Sequence, residues 1–178
     1  LPSSMFARVR HELGPVNVLV NNAGVGHKAP LLSGATGLWR EMLEVNVLGL
    51  CICTREAVRD MRGQGDRGHI IHLSSMAGHR VPGGSGVYSA TKFAVTSLTE
   101  GLRQELRMAG SKIRVSALSP GFVETEFAER YHKTPEASAQ TYGRYKVLEA
   151  TDIADAVEWV LGCPEHMQRS EEHTSELQ

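Results

Sequence analysis

The segment His69-Ile70-Ile71-His72-Leu73-Ser74-Ser75 runs into Met76-Ala77-Gly78-His79-Arg80-Val81-Pro82-Gly83-Gly84-Ser85-Gly86 and then into Val87-Tyr88-Ser89-Ala90-Thr91-Lys92. Residues 69–73 read as a short apolar strand, 76–86 as a glycine-rich loop and 87 onward as a helix. Val95, Leu98, Leu102 and Leu106 carry the helical spacing on to about Met108, where Ala109-Gly110 ends it. A strand, a loop and a long covering helix in succession make the repeating unit of a parallel sheet.

The same alternation extends in both directions. Toward the start, residues 2–13 read as an amphipathic helix with Met5, Phe6, Val9 and Leu13 on one face, stopped by Gly14-Pro15. Val16–Val20 reads as a short buried strand, Asn21-Asn22-Ala23-Gly24 as the tight turn that ends it, and 25–36 as a loop. A helix then runs from about Gly37 to Met61, marked by Trp39, Met42, Leu43, Val47, Leu50 and Val58 and broken by Gly63-Gln64-Gly65. Toward the end, Ile113–Leu118 is a third strand stopped by Ser119-Pro120-Gly121. Residues 124–148 are polar, with short helices expected around Pro135. Thr151-Asp152 is expected to cap a final helix bearing Ile153, Ala156, Val157, Val160 and Leu161. Near-continuous apolar strands separated by helices imply an α/β fold, a doubly wound parallel sheet covered on both faces. In such sheets ligands bind beyond the carboxyl ends of the strands. Asn21 to Gly24, Ser74 with Ser75, and Pro120 to Thr125 each follow a strand and so converge there.

Tyr88 and Lys92 are four apart on one helix and share a face. A free phenol is a poor acid or base at neutral pH, but a neighbouring ammonium favours phenolate. Lys92 is therefore expected to lower the Tyr88 pKa and fit it for proton transfer. Ser75, upstream across the loop, is placed to hydrogen-bond a substrate oxygen. A lone Y-x-x-x-K is a weak signal; its weight comes from that convergence.

The 178 residues suffice for one domain with a sizeable core, and 41% hydrophobic with 22% charged residues is ordinary for a globular chain. Net charge is −1, from 19 basic and 20 acidic residues, without the basic stripe of a nucleic-acid binder. No apolar run reaches transmembrane length. Cys51, Cys53 and Cys163 make no disulfide framework; Cys51 and Cys53 are expected to be buried thiols, and a reducing, cytoplasmic compartment fits. His69 and His72 lack a third ligand, His11-Glu12 starts no H-E-x-x-H, and no metal site is expected. His79 and Arg80 read as solvated residues beside the loop.

Taken together, the motifs resemble the short-chain dehydrogenase/reductase family. Asn21-Asn22-Ala23-Gly24 matches its N-N-A-G, Asn46 its mid-helix asparagine, Ser75, Tyr88 and Lys92 its Ser and Tyr-x-x-x-Lys, and Pro120-Gly121-x-Val123-x-Thr125 the stretch that embraces the nicotinamide. A closer likeness joins three stretches, Cys51–Ala57, Ser75–Pro82 and Thr99–Arg107, to an animal group described as 17-beta-hydroxysteroid or farnesol dehydrogenases, usually with NADP(H). The resemblance implies a Rossmann-type fold and hydride transfer between NADP (NAD is also compatible) and a small apolar carbonyl or alcohol, steroid-, retinoid- or isoprenoid-like. It implies Asn46, Ser75, Tyr88 and Lys92 as catalytic residues. Tyr88 would carry the proton, Ser75 would orient the oxygen, Lys92 would hold the ribose, and Asn46 would hold a relay water or, on the structural alternative, cap a broken helix. Asn22, Ala23, Gly24, Pro120, Gly121, Val123 and Thr125, with Tyr88 and Lys92, are implied around the cofactor. A homodimer or homotetramer of the full-length chain, paired through the two long helices, is implied as well. Lys92 argues against the dehalogenating lyases of the same fold, which carry arginine there.

The family also carries a strand, a T-G-x-x-x-G-x-G turn and a helix ahead of these elements. Residues 1–168 are accordingly expected to be a partial domain lacking roughly 80 residues of a full doubly wound fold, and an inert fragment or interaction module is the alternative to an enzyme. The Gly83-Gly84-Ser85-Gly86 cluster reads as a flexible loop feeding Tyr88 rather than a phosphate cradle. Residues 169–178 resemble a translated adapter and are expected to lie outside the fold.

Overall fold

The computed structural model describes residues 2–132, 134, 136, 142–143, 146–167 and 171–174. Four parallel strands form one sheet: β1 (Val18–Asn21), β2 (His69–Leu73), β3 (Arg114–Pro120) and β4 (Glu171–Thr174), in the order β1-β2-β3-β4. Helix α1 (Pro2–Glu12) precedes β1; α2 (Thr36–Leu43) passes through a π-helical segment, Glu44–Gly49, into α3 (Leu50–Gly63). Helix α4 (Gly86–Met108) joins β2 to β3, and α5 (Phe127–His132) and α6 (Ala150–Gly162) follow β3.

Strand pairing explains the two-sided core. Ile70 pairs with Val115 and Leu73 with Leu118, and the period of two sends these pairs to opposite faces. Ile70 and Val115 pack with Phe6, Ala57, Met61, Leu106 and Ile113 under α1, α3 and α4. Ile71, Leu73 and Leu118 pack with Val160, Ile153, Ala156 and Val157 of α6. Arg10 pins α1 to α3, its Nε donating to Asp60 at 2.5 Å and its Nη2 to Glu56 at 2.8 Å.

Several expectations need correction. Strand β1 is not buried: Val18 and Val20 are exposed, because β1 is the outer strand of the sheet and α6 covers only the far side of β2 and β3. Helix α6 is capped by Glu149, not Thr151-Asp152; the Glu149 side chain accepts from the Asp152 backbone and Asp152 accepts from the Glu149 N–H at 2.7 Å, a reciprocal box. Cys51 and Cys53 are half-buried free thiols, and burial pushes the Cys53 pKa up. Residues Glu171–Thr174 form β4 and pair with Ala117–Pro120. A strand edge presents backbone donors and acceptors that any extended segment can satisfy, so a polar segment with no apolar signature can still extend the sheet. The short helices expected around Pro135 fall partly outside the described residues; α5 lies just ahead of it.

A chain of polar side chains crosses the sheet beside the core. Thr99 Oγ1 donates to Val95 O at 2.8 Å, so it must accept from His72 Nδ1 at 2.9 Å. His72 Nε2 then accepts from Thr54 Oγ1 at 3.2 Å, which accepts from Asn21 Nδ2 at 3.0 Å. The chain has one consistent direction and requires a neutral imidazole, and burial lowers the His72 pKa from 6.5 to about 4. His69, bonded to Ser116 at 2.9 Å, is lowered to about 4 by burial and then by Arg114. Between those values the unfolded chain binds protons that the folded chain refuses, so stability must rise with pH. Chemical denaturation should show full stability from these groups above pH 6.5. It should then fall by about 1.4 kcal/mol per pH unit per histidine toward pH 4. A flat profile over that interval would disprove the neutral buried imidazoles.

Candidate active site

The loop and helix that opened the sequence argument converge as one assembly. Ser75 leaves β2 extended, and its Oγ accepts from the Ala77 N–H at 3.1 Å, starting a 3-10 turn over Met76–Gly78. That turn lies flush on α4: a Cβ on Gly78 would stand 2.8 Å from Lys92 O and 2.8 Å from Ser74 Oγ. Ser85 stitches the end of the glycine-rich loop, donating to Pro82 O at 2.7 Å and pairing with Ser89 at 2.9 Å. Tyr88 and Lys92 then fall on the first turns of α4, as the spacing requires. The Ser75 hydroxyl lies beside the Tyr88 phenol and acts to lower its pKa.

The electrostatics differ from expectation. Lys92 Nζ donates to Leu73 O at 2.9 Å and sits 6.0 Å from the Tyr88 ring centroid. Burial lowers the Lys92 pKa to about 8. The Tyr88 phenol is not lowered but pushed up to about 12, first by burial, against the smaller downward pull of the Ser75 hydrogen bond. The cause is an aromatic cover from α5. Phe127 tilts over Tyr88 at 5.4 Å between centroids, Tyr131 meets it edge-on at 6.1 Å, and Phe127 stacks on Tyr131 at 5.8 Å. Sequence spacing located the ammonium but not this hydrophobic roof.

Asn46 is buried in the π-helical segment. Its Oδ1 accepts from the Val25 N–H at 2.8 Å, while Nδ2 donates to Val25 O at 2.8 Å and to Thr91 Oγ1 at 3.0 Å. Thr91 passes its own hydrogen to Tyr88 O at 2.7 Å. The helix does not break at Asn46, so the capping alternative is corrected: the side chain clamps the loop after β1 to α4.

A cavity of about 400 Å³ opens where the strands end. Ser75, Tyr88, Pro120, Gly121, Val123 and Thr125 line it, together with Met76, Phe122, Phe127 and Tyr131. Gly24 borders this assembly from the β1 side, its absent Cβ position lying 3.5 Å from Asn46 Oδ1 and 3.7 Å from Lys92 Nζ. Asn22 and Ala23 follow β1 on the exposed surface, outside the cavity wall. Thr125 accepts from the Phe127 N–H at 3.2 Å and so starts α5. Among the described residues no cluster of three or more His, Cys, Asp or Glu side chains could hold a metal, and no helix is long and apolar enough to cross a membrane.

The family model for short chain dehydrogenases matches residues 3–136. The chain belongs to the short chain dehydrogenase family. Within it, the chain is 54% identical over 169 residues to Dehydrogenase/reductase SDR family member 11 of Bos taurus, covering 93% of this chain and 66% of the relative. It is 42% identical over 170 residues to Farnesol dehydrogenase of Aedes aegypti, with 93% and 66% covered. Among solved structures, the closed form of serine dehydrogenase complexed with NADP+ superposes with a TM-score of 0.90 at 31% identity, covering 97% of this chain and 70% of that one. The chain thus spans about two thirds of the length of the curated relatives it matches.

This short chain dehydrogenase also uses residues that the motif reading missed. Gly26 is buried beneath α5: a Cβ there would lie 2.4 Å from Phe127 Cζ and 2.9 Å from Tyr131 Cδ2, while the Lys28 N–H donates to Tyr131 O at 3.1 Å. The signal was a second glycine two residues past N-N-A-G, next to aromatics with no assigned partner. Gly26→Ala in the full-length protein should displace the roof over Tyr88, lowering kcat/KM at least about tenfold, the cost of roughly 1.4 kcal/mol. Phe127→Ala in the same chain should restore part of the loss by making room. Unchanged kinetics in the single variant would mean that α5 does not rest on Gly26.

Proposed function

We propose that the full-length protein is an NADP(H)-dependent oxidoreductase acting on a carbonyl or alcohol carbon of an apolar substrate. The observation that carries this is the Tyr88 phenol beside Ser75 at the wall of a mostly apolar cavity, with the Lys92 ammonium 6.0 Å from its ring centroid. When bound, the nicotinamide cofactor supplies or accepts the hydride. Ser75 holds the substrate oxygen and Tyr88 delivers its proton to that oxygen in reduction.

The residues present fit a nicotinamide nucleotide. Lys92 uses one of three ammonium hydrogens on Leu73 O, and the bare α-carbon of Gly24 keeps its neighbourhood open. Lys92 can therefore hold ribose hydroxyls, with Asn22, Ala23 and Gly24 on one side and Pro120, Gly121, Val123 and Thr125 on the other. NADP rather than NAD is favoured by the NADP+ complex of serine dehydrogenase. Asn46 positions Lys92 and Tyr88 through Val25 and Thr91.

Substrate class follows from the lining. Met76, Ala77, Pro82, Phe122, Val123 and Phe127 favour a steroid-, retinoid- or isoprenoid-like carbonyl, and one relative is named for farnesol. Val81 is exposed outside the cavity wall. Exposed Leu43, Leu48 and Phe93 on the two long helical stretches support a dimer or tetramer; three free thiols support a reducing, cytoplasmic compartment.

Tyr88→Phe should cut kcat at least ~10²-fold while leaving NADPH affinity, read by calorimetry, nearly unchanged. Turnover close to wild type would remove Tyr88 from the acid role. In a panel of apolar and sugar carbonyls with NADPH, activity confined to small polar sugars would overturn the substrate class. Light scattering of the full-length protein at micromolar concentration should give a dimer or tetramer; a monomer would contradict the helix pairing.

A further inference from the structure

Arg80 is exposed, as the sequence suggested, and it also lines the cavity. Among the described residues the cavity wall contains no aspartate or glutamate, and its side chains are otherwise apolar or hydroxyl-bearing apart from His132. Among the described residues the Arg80 guanidinium has neither a hydrogen-bond partner nor an ion pair. A permanently charged, five-donor group thus stands exposed at the wall of a mostly apolar cavity, and among the described residues no carboxylate neutralises it.

Its backbone is fixed relative to Ser75. The Gly78 N–H donates to Ser75 O at 2.8 Å, and the His79 and Arg80 N–H groups donate to Met76 O at 3.1 and 3.2 Å. The His79 ring bonds Ser119 at 3.0 Å, tying the same turn to β3. Gly78 lies flush on the Lys92 carbonyl. Ser75 and Arg80 are therefore five residues apart on one braced turn, a backbone span on the order of 10 Å at a 3-10 rise.

We infer, resting on the oxidoreductase function proposed above, that Arg80 is an anion-binding residue of the substrate cavity and that the substrate carries a carboxylate at the end away from its reacting carbonyl. The apolar lining takes the chain between the two ends. Ser75 and Tyr88 hold the carbonyl, and the guanidinium takes the carboxylate with parallel N–H donors.

The test uses a medium-chain ω-oxo carboxylate and its methyl ester as matched substrates of the full-length protein with NADPH. Wild type should favour the acid in kcat/KM by about tenfold or more, the worth of one charge-assisted bond, and the preference should shrink as salt rises. Arg80→Ala should bring the acid-to-ester ratio near one, and Arg80→Glu should invert it. Arg130→Ala, which removes a cation paired with Glu126 on α5 outside the cavity wall, should leave the ratio as in wild type. A wild-type ratio near one, or a preference that survives Arg80→Ala, overturns the inference while leaving the oxidoreductase function intact. If neither compound is reduced, that function fails instead. The anion site is then decided by calorimetry: tighter binding of the acid than of the ester to wild type, lost in Arg80→Ala, supports it, and equal binding of the two overturns it.

Discussion

The Asn46 side chain does the work of a short piece of strand. One amide supplies both the donor and the acceptor that Val25 needs and still has a hydrogen for Thr91. It makes all three bonds while buried, where a missing partner would cost about 1–3 kcal/mol. The π-helical segment is the local irregularity that accompanies this reach. Through Thr91 the same network ends on the Tyr88 carbonyl, so the loop after β1 and the first turn of α4 share one clamp. Gly24 and Gly26, on either side of Val25, inherit their positions from it. One faces Lys92 and the other seats the α5 aromatics.

Burial acts in opposite directions on the two titratable groups of α4. It disfavours charge on both, raising the Tyr88 pKa and lowering that of Lys92. An ammonium whose nearest acceptor is a backbone carbonyl is poorly stabilised, and a phenol under an aromatic roof has little to stabilise a phenolate. The two values draw toward each other only when something polar enters between the groups. The arrangement is thus sensitive to occupancy of the cavity, since an added oxygen changes the solvation of both groups at once.

Much of the sheet was legible from residues alone. Strand β2 was bounded correctly because His69–Leu73 is a compact apolar run between a glycine and a serine pair, and α4 because its apolar spacing persists for six turns. Ser75, Tyr88, Pro120, Gly121, Val123 and Thr125 were placed correctly at one strand end because parallel topology gathers whatever follows each strand. What escaped depends on contacts distant in sequence. The exposure of β1 reflects which helix covers which face. Strand β4 pairs in parallel with β3, and a polar segment carries no apolar signal in the sequence. The upward Tyr88 shift needed Phe127 and Tyr131, about forty residues on, to be known as its roof. The Asn46 clamp needed Val25 and Thr91, neither of which is unusual by type.

Gly78 presses the serine-bearing turn directly onto the backbone of α4, with no side chain between them. The separation between Ser75 and Tyr88 is therefore set largely by main-chain contact. The remaining wall is built from side chains on the 3-10 turn, the segment after β3 and α5, which can be exchanged one at a time. The fold thus separates a fixed frame from an exchangeable lining: the rim can be rebuilt without Ser75 and Tyr88 being re-aligned.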